Sequence, residues 1–177
     1  MAEAFINAQA RAAGIVTSNT SGAVGVTTNI ITGISTVGIS SGYIVDNGNY
    51  IYGTRVTRVD VSKVYVDRDS TNTSAASNQT VKFLGLTSAY TAASKSILIG
   101  GTIANNTEDP VNVYVEVHDS SSNTITGIAQ KIPVPTGSSF VITDAGKTVL
   151  ETSDSLRIYC DSAGGVDCTF GILKGVS

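Results

Sequence analysis

Proton transfer near neutral pH is most readily done by an imidazole, and this chain holds a single histidine, His118. It follows the alternating run Val111, Val113, Val115 and Val117, at an outward position where the pattern enters Asp119-Ser-Ser-Ser-Asn. A serine, a histidine and an aspartate can be collected from any serine-rich chain, and no Gly-x-Ser-x-Gly elbow is present. The residues point to a surface histidine beside a turn, and no catalytic residue is assigned. Cys160 and Cys168 flank a Gly-Gly turn and can oppose each other across a hairpin. Reduced, buried thiols are the expectation in a chain without a secretory leader, with a disulfide as the alternative. Two sulfurs and one histidine fall short of a four-ligand zinc site. Carboxylates gather loosely, Asp67 with Asp69, Glu108 with Asp109 and Asp161 with Asp167. Calcium needs roughly six to eight converging oxygens, and no acidic loop of that kind occurs. The glycines of Gly22-Ala-Val-Gly25 and Gly33-Ile-Ser-Thr-Val-Gly38 are spaced for turns and bulges, not for a phosphate loop. No metal and no cofactor is expected. Tyr43, Tyr50 and Tyr52 cluster near one turn and could present a platform for a sugar. With no Trp and only 6% aromatic residues, interface or core tyrosines are favoured over that platform.

The elements that must carry these residues read as β. Of 177 residues, 41% are hydrophobic and 14% charged, well below the usual quarter for charge. Ser, Thr, Asn and Gly fill the difference, and the first three compete with helical hydrogen bonds. A net charge of −3 gives no footprint for nucleic acid. Arg55, Arg58, Lys63 and Arg68 are interleaved with Asp60, Asp67 and Asp69, which makes a solvated strand face and not a basic patch. No apolar run is long enough to span a membrane as a helix, and residues 1–14 lack the basic start of a leader.

Four segments follow. Residues 1–28 read as an extended N-terminal arm, in which the Ala-rich stretch Ala2 to Ala13 can form a short helix. Residues 29–72 read as a small β module, with Asp46-Asn-Gly-Asn49 as its strongest turn. In its last hairpin Val59, Val61, Val64 and Val66 are expected on one face, with Arg58, Asp60, Tyr65 and Asp67 on the other. Residues 73–78 are the linker. Residues 79–177 carry strands at 80–86, 95–105, 111–117, 124–134, 138–143, 147–150, 154–160 and 166–173. In the strand at 111–117, Asn112, Tyr114, Glu116 and His118 are expected outward. The fold expected is all-β: an antiparallel β-sandwich, immunoglobulin-like or jelly-roll-like, with an extended N-terminal arm and a small β module.

Two segments carry a resemblance. Ile31-Thr-Gly-Ile-Ser-Thr-Val-Gly-Ile-Ser-Ser-Gly-Tyr-Ile-Val, then Tyr52-Gly-Thr-Arg-Val-Thr-Arg-Val-Asp and Val64-Tyr-Val-Asp-Arg-Asp-Ser-Thr-Asn-Thr, resemble a module of tailed-bacteriophage virion proteins, those of cyanobacterial phages included. Ile132-Pro-Val-Pro-Thr-Gly-Ser-Ser-Phe-Val-Ile with Leu150-Glu-Thr-Ser-Asp-Ser-Leu-Arg-Ile-Tyr and the last strand is similar to the C-terminal sandwich of small phage neck, tail or head-surface proteins. Ser153 stands where that pattern carries Gly. The resemblance implies a virion component without enzymatic activity, made in the host cytoplasm and assembled with copies of itself, as a homo-oligomer, and with other virion proteins. Neither nucleic acid nor membrane is an expected partner. The candidate interface residues are Phe5, Ile6, Ile15 and Val16 of the arm and Tyr43, Tyr50 and Tyr52 of the module. The alternative reading is a receptor- or glycan-binding β-sandwich module.

Overall fold

The computed structural model describes residues 3–176, with only the backbone described at 143–147. Fourteen strands follow one another: β1 (Ala4–Ala13), β2 (Ile15–Val24), β3 (Ile30–Thr32), β4 (Ile44–Asp46), β5 (Val56–Asp60), β6 (Lys63–Val66) and β7 (Ala76–Gly85). Then come β8 (Thr87–Thr91), β9 (Ser96–Asn105), β10 (Val111–Asp119), β11 (Thr124–Val134), β12 (Ser139–Leu150), β13 (Ser155–Cys160) and β14 (Val166–Lys174). Among the described residues there is no helix long and apolar enough to cross a membrane. The chain forms two compact units, one made of residues 15–86 and one of the residues before and after them.

The larger unit is an antiparallel sandwich. Its sheets run β1-β14-β9-β12 and β11-β10-β13-β8. Numbering only this unit's eight strands, the orders are 1-8-3-6 and 5-4-7-2, the double Greek key of a jelly roll. That order decides between the two sandwich types expected. Alternation supplies the core: Val111, Val113 and Val115 of β10 meet Leu156, Ile158 and Cys160 of β13 on one side. Val166, Phe170 and Ile172 of β14 with Leu98 and Ile103 of β9 close on them from the other. Each such side chain contributes about 1.5–3 kcal/mol by leaving water. The outward positions of β10 depart from expectation. Tyr114 and Glu116 are buried too, Tyr114 as the register partner of the buried Tyr159. Glu116 accepts a hydrogen bond from Gln130 Nε2 at 3.1 Å.

The smaller unit is a six-stranded sheet, β4-β7-β2-β3-β6-β5, whose ends meet. Val45 N donates to Thr54 O at 2.8 Å and Val56 N to Tyr43 O at 2.9 Å, with an antiparallel bridge from Ile44 to Arg55. Closure removes the free edges that short strands would otherwise expose. Ile31, Val45, Val56, Val64, Val66, Val81 and Phe83 fill the interior.

Three expectations are corrected. The described part of the expected arm at 1–28 is neither an arm nor, in its Ala-rich stretch, a helix: β1 is the first strand of the sandwich and β2 a strand of the closed sheet. Alanine favours helix only as a weak prior, and pairing of β1 with β14 from Ala4 to Ala13 overrides it. Residue 2 lies outside the described residues. The boundaries at 29, 73 and 79 also move. The smaller unit needs β2 and β7 to close, so it spans 15–86, and β7 takes up the second half of the expected linker. Finally, Val61 does not join Val59, Val64 and Val66: it sits in the turn, 89% exposed. Ser62 beside it adopts φ +58°, and a bulge between Val56 and Arg58 shifts the hairpin register.

Candidate functional site

The three clustered tyrosines do not form a platform. Tyr50 is 3% exposed among the residues filling the closed sheet, and its hydroxyl donates to Thr28 O at 3.3 Å. Tyr43 is half-buried against the same core, and Tyr52 is exposed. Burial, with the charge of Asp69 adding to it, pushes the Tyr50 phenol up to about 12. The consequence has a definite sign. Between pH 10 and 12 the unfolded chain gives up this proton while the folded chain keeps it, so stability falls with rising pH through that window. Tyr50→Phe is expected to flatten that part of the denaturant-midpoint profile. An unchanged slope between pH 10 and 12 would show that Tyr50 does not cause it.

Three of the carboxylates singled out by sequence are engaged in holding backbone. Asp67 Oδ1 accepts from Arg55 N at 2.7 Å, Asp161 Oδ1 from Asn112 N at 2.7 Å, and Asp167 Oδ1 from Ala12 N at 2.7 Å. Asp119 accepts from Ser121 N, Ser121 Oγ and Ser122 N, and these bonds hold its carboxyl down at about 2. His118, one residue earlier, bonds through Nε2 to Asn123 Oδ1 across the same turn. Among the described residues no three of His, Cys, Asp and Glu are grouped to hold a metal ion. Cys160 and Cys168 are buried and not joined in a disulfide, and burial pushes the Cys168 thiol up to about 11. The Ser153 turn keeps a glycine-like conformation, φ +76°, with Ser153 N donating to Ala92 O at 2.7 Å.

The feature of the sandwich that invites a partner is the outer face of its β1-β14-β9-β12 sheet. Registers place Phe5 opposite Leu173, Leu173 opposite Ile97, and Ile97 opposite Val149, one apolar row across all four strands. Val141 of β12 and Ile99 of β9 lie on the same face. Phe5 is 78% exposed, and Ile99, Val141 and Val149 are each about half exposed. Among the described residues of the sandwich, the large exposed hydrophobics are these four and Leu173 and Ile97 lie half-buried between them. Beside the row is a shallow hollow of about 300 Å³, walled by Asn7, Ile99, Val141 and Thr169 and floored by Gly100 and Gly171. Among the described side chains the rest of the face is uncharged at its centre, with Gln9, Thr169 and Thr102 in register. Charge sits at the rim: the Lys95–Glu151 pair at 3.1 Å beyond the apolar row, and Arg11 with Asp167 at the other end. Depletion of charge from the middle of a patch, with charge kept at its rim, is how interface patches are built.

No known protein family, curated protein or solved structure matches this chain. The site is therefore read from its own geometry. Of the candidate interface residues, Phe5 lies on the open face, whereas Ile6 points the other way, packed against the sandwich core. Ile15 is about half exposed and Val16 half-buried, both on β2 of the smaller unit. Sequence reasoning missed Leu173, Ile97, Ile99, Val141 and Val149. A signal existed: Ile97-Leu98-Ile99 is an apolar run without alternation, which puts apolar side chains on both faces of its strand.

Proposed function

We propose that this chain is a non-enzymatic structural protein of a tailed-bacteriophage virion that mediates subunit assembly at the neck, tail or capsid surface. The observation that carries the reading is the partly apolar outer face of the β1-β14-β9-β12 sheet, whose described side chains keep charge to the rim and have the make-up of a subunit contact. The resemblance of residues 31–73 and 132–159 to virion modules supplies the particle. Jelly rolls serve in capsids and in lectins alike, so the fold agrees with the reading without selecting it. Burial of Tyr50 removes the ring cluster on which the glycan-binding alternative rested.

Gold-labelled antibody imaging of phage particles from a lysate that contains the protein tests the proposal. Label at the neck, tail or head surface is the expected result and assigns the location. Particles that carry no label would overturn it.

A further inference from the structure

The open face of the sandwich carries both a knob and a hole. Phe5 projects from the edge strand β1, 78% exposed, and the hollow floored by Gly100 and Gly171 lies beyond Asn7, two residues further along the same strand. A knob and a hole on one surface are what a two-fold contact requires, because each copy then offers the other the feature it lacks. We infer that this face binds the same face of a second copy of the chain, each Phe5 ring entering the glycine-floored hollow of its partner. The inference rests on the assembly reading above and names the partner of that surface.

Size and charge agree with this occupant. Four strands about 4.8 Å apart and about 30 Å long present roughly 600 Å². A self-paired face thus removes about 1,200 Å² in total from water, the lower end of stable specific interfaces. Such a contact is reversible alone and strong when repeated in an assembly. Among the described side chains the centre of the face holds no charge that would repel its copy. Phe5 and the hollow supply the aromatic anchor and the pocket that dominate such contacts.

The test uses two substitutions that leave the interior alone. Phe5→Asp changes an exposed side chain. Gly171→Leu fills the hollow from a position where an added Cβ meets its nearest atom, Ile99 Cβ, at 3.8 Å. Thermal melts first establish that both variants fold. Sedimentation velocity over a concentration series is then expected to show the full chain dimerising in roughly the micromolar range, with either variant weakened about a hundredfold. A mixture of the two variants restores one of the two knob-in-hole contacts, so its association is expected to lie between wild type and either variant alone. General stickiness predicts no such recovery.

A wild-type chain that stays monomeric, variants that dimerise as well as wild type, or a mixture no better than its parts would each overturn the inference. Particle imaging separates this from the broader reading. A monomeric chain that still labels particles leaves the assembly role standing without the self-contact. If Phe5→Asp abolishes labelling while wild type is monomeric, the face takes a different protein. A dimer absent from every particle leaves the contact standing without the virion role.

Discussion

Gly14→Ala is expected to lower the stability of the sandwich by about 3 kcal/mol or more, a loss of roughly 10 °C in its thermal midpoint for a chain of this size. Two effects add. Gly14 holds φ +129°, a conformation that residues with a Cβ rarely adopt. A Cβ there would lie 2.2 Å from Ser162 O and 3.1 Å from Gly164 N, both backbone atoms with little freedom to move. The site matters because it ends β1, and because Gly14 O accepts a hydrogen bond from Gly164 N at 2.9 Å, tying the turn before β14 to the strand that pairs with β14. Gly137→Ala is the control, since Gly137 has φ +64° and open space within 4 Å of its Cβ position. That change is expected to cost only about 1 kcal/mol. Denaturant midpoints of the two variants decide the matter. Equal losses would mean that backbone conformation alone sets the cost and that the contact with residues 162–164 is unimportant.

Gly14 also marks where sequence reading failed. β10 and β14 were legible because one period governs each: Val111, Val113 and Val115 alternate inward, as do Val166, Cys168, Phe170 and Ile172. Their burial follows directly from that spacing. β1 alternates too, with Ile6, Ala8 and Ala10 inward and Phe5, Asn7, Gln9 and Arg11 outward. Small alanines on the inward side give a weak hydrophobic signal, and helix propensity points the other way. Strand order was illegible for a different reason. β1 pairs with β14 across the length of the chain, and no local pattern records a pairing at that separation. The unit of residues 15–86 interrupts the sandwich between its first and second strands, so contiguous segments could not delimit it. The apolar outer face suffered likewise: Phe5, Leu173, Ile97 and Val149 come from four strands and form a row only once the sheet order exists.

The second large effect lies inside the sandwich, where Gly101 of β9 faces Phe170 of β14 across the ladder. Phe170 is fully buried, and its ring lies against the backbone of Gly101, filling the place a side chain would take. A Cβ added at Gly101 would fall 2.2 Å from Phe170 Cδ1 and 2.7 Å from Cε1. Phe170→Ala is therefore expected to cost about 3–5 kcal/mol through lost contacts and the cavity left behind. Gly101→Ala is expected to cost about 2–3 kcal/mol through overpacking. The two positions compete for one space, so their effects should not add. Leucine at 170 retreats from the strand, and the methyl of alanine at 101 occupies part of the volume released. The double variant Gly101→Ala/Phe170→Leu should then be more stable than the sum of its single changes by about 1–2 kcal/mol. Thr169 O, 2.9 Å from the same Cβ position, keeps the recovery incomplete, because a backbone oxygen cannot withdraw as a ring can. Chemical denaturation of wild type, Gly101→Ala, Phe170→Leu and the double variant closes the cycle. Simple additivity would mean that the ring does not set the cost at Gly101, and that the strain arises at Thr169 instead.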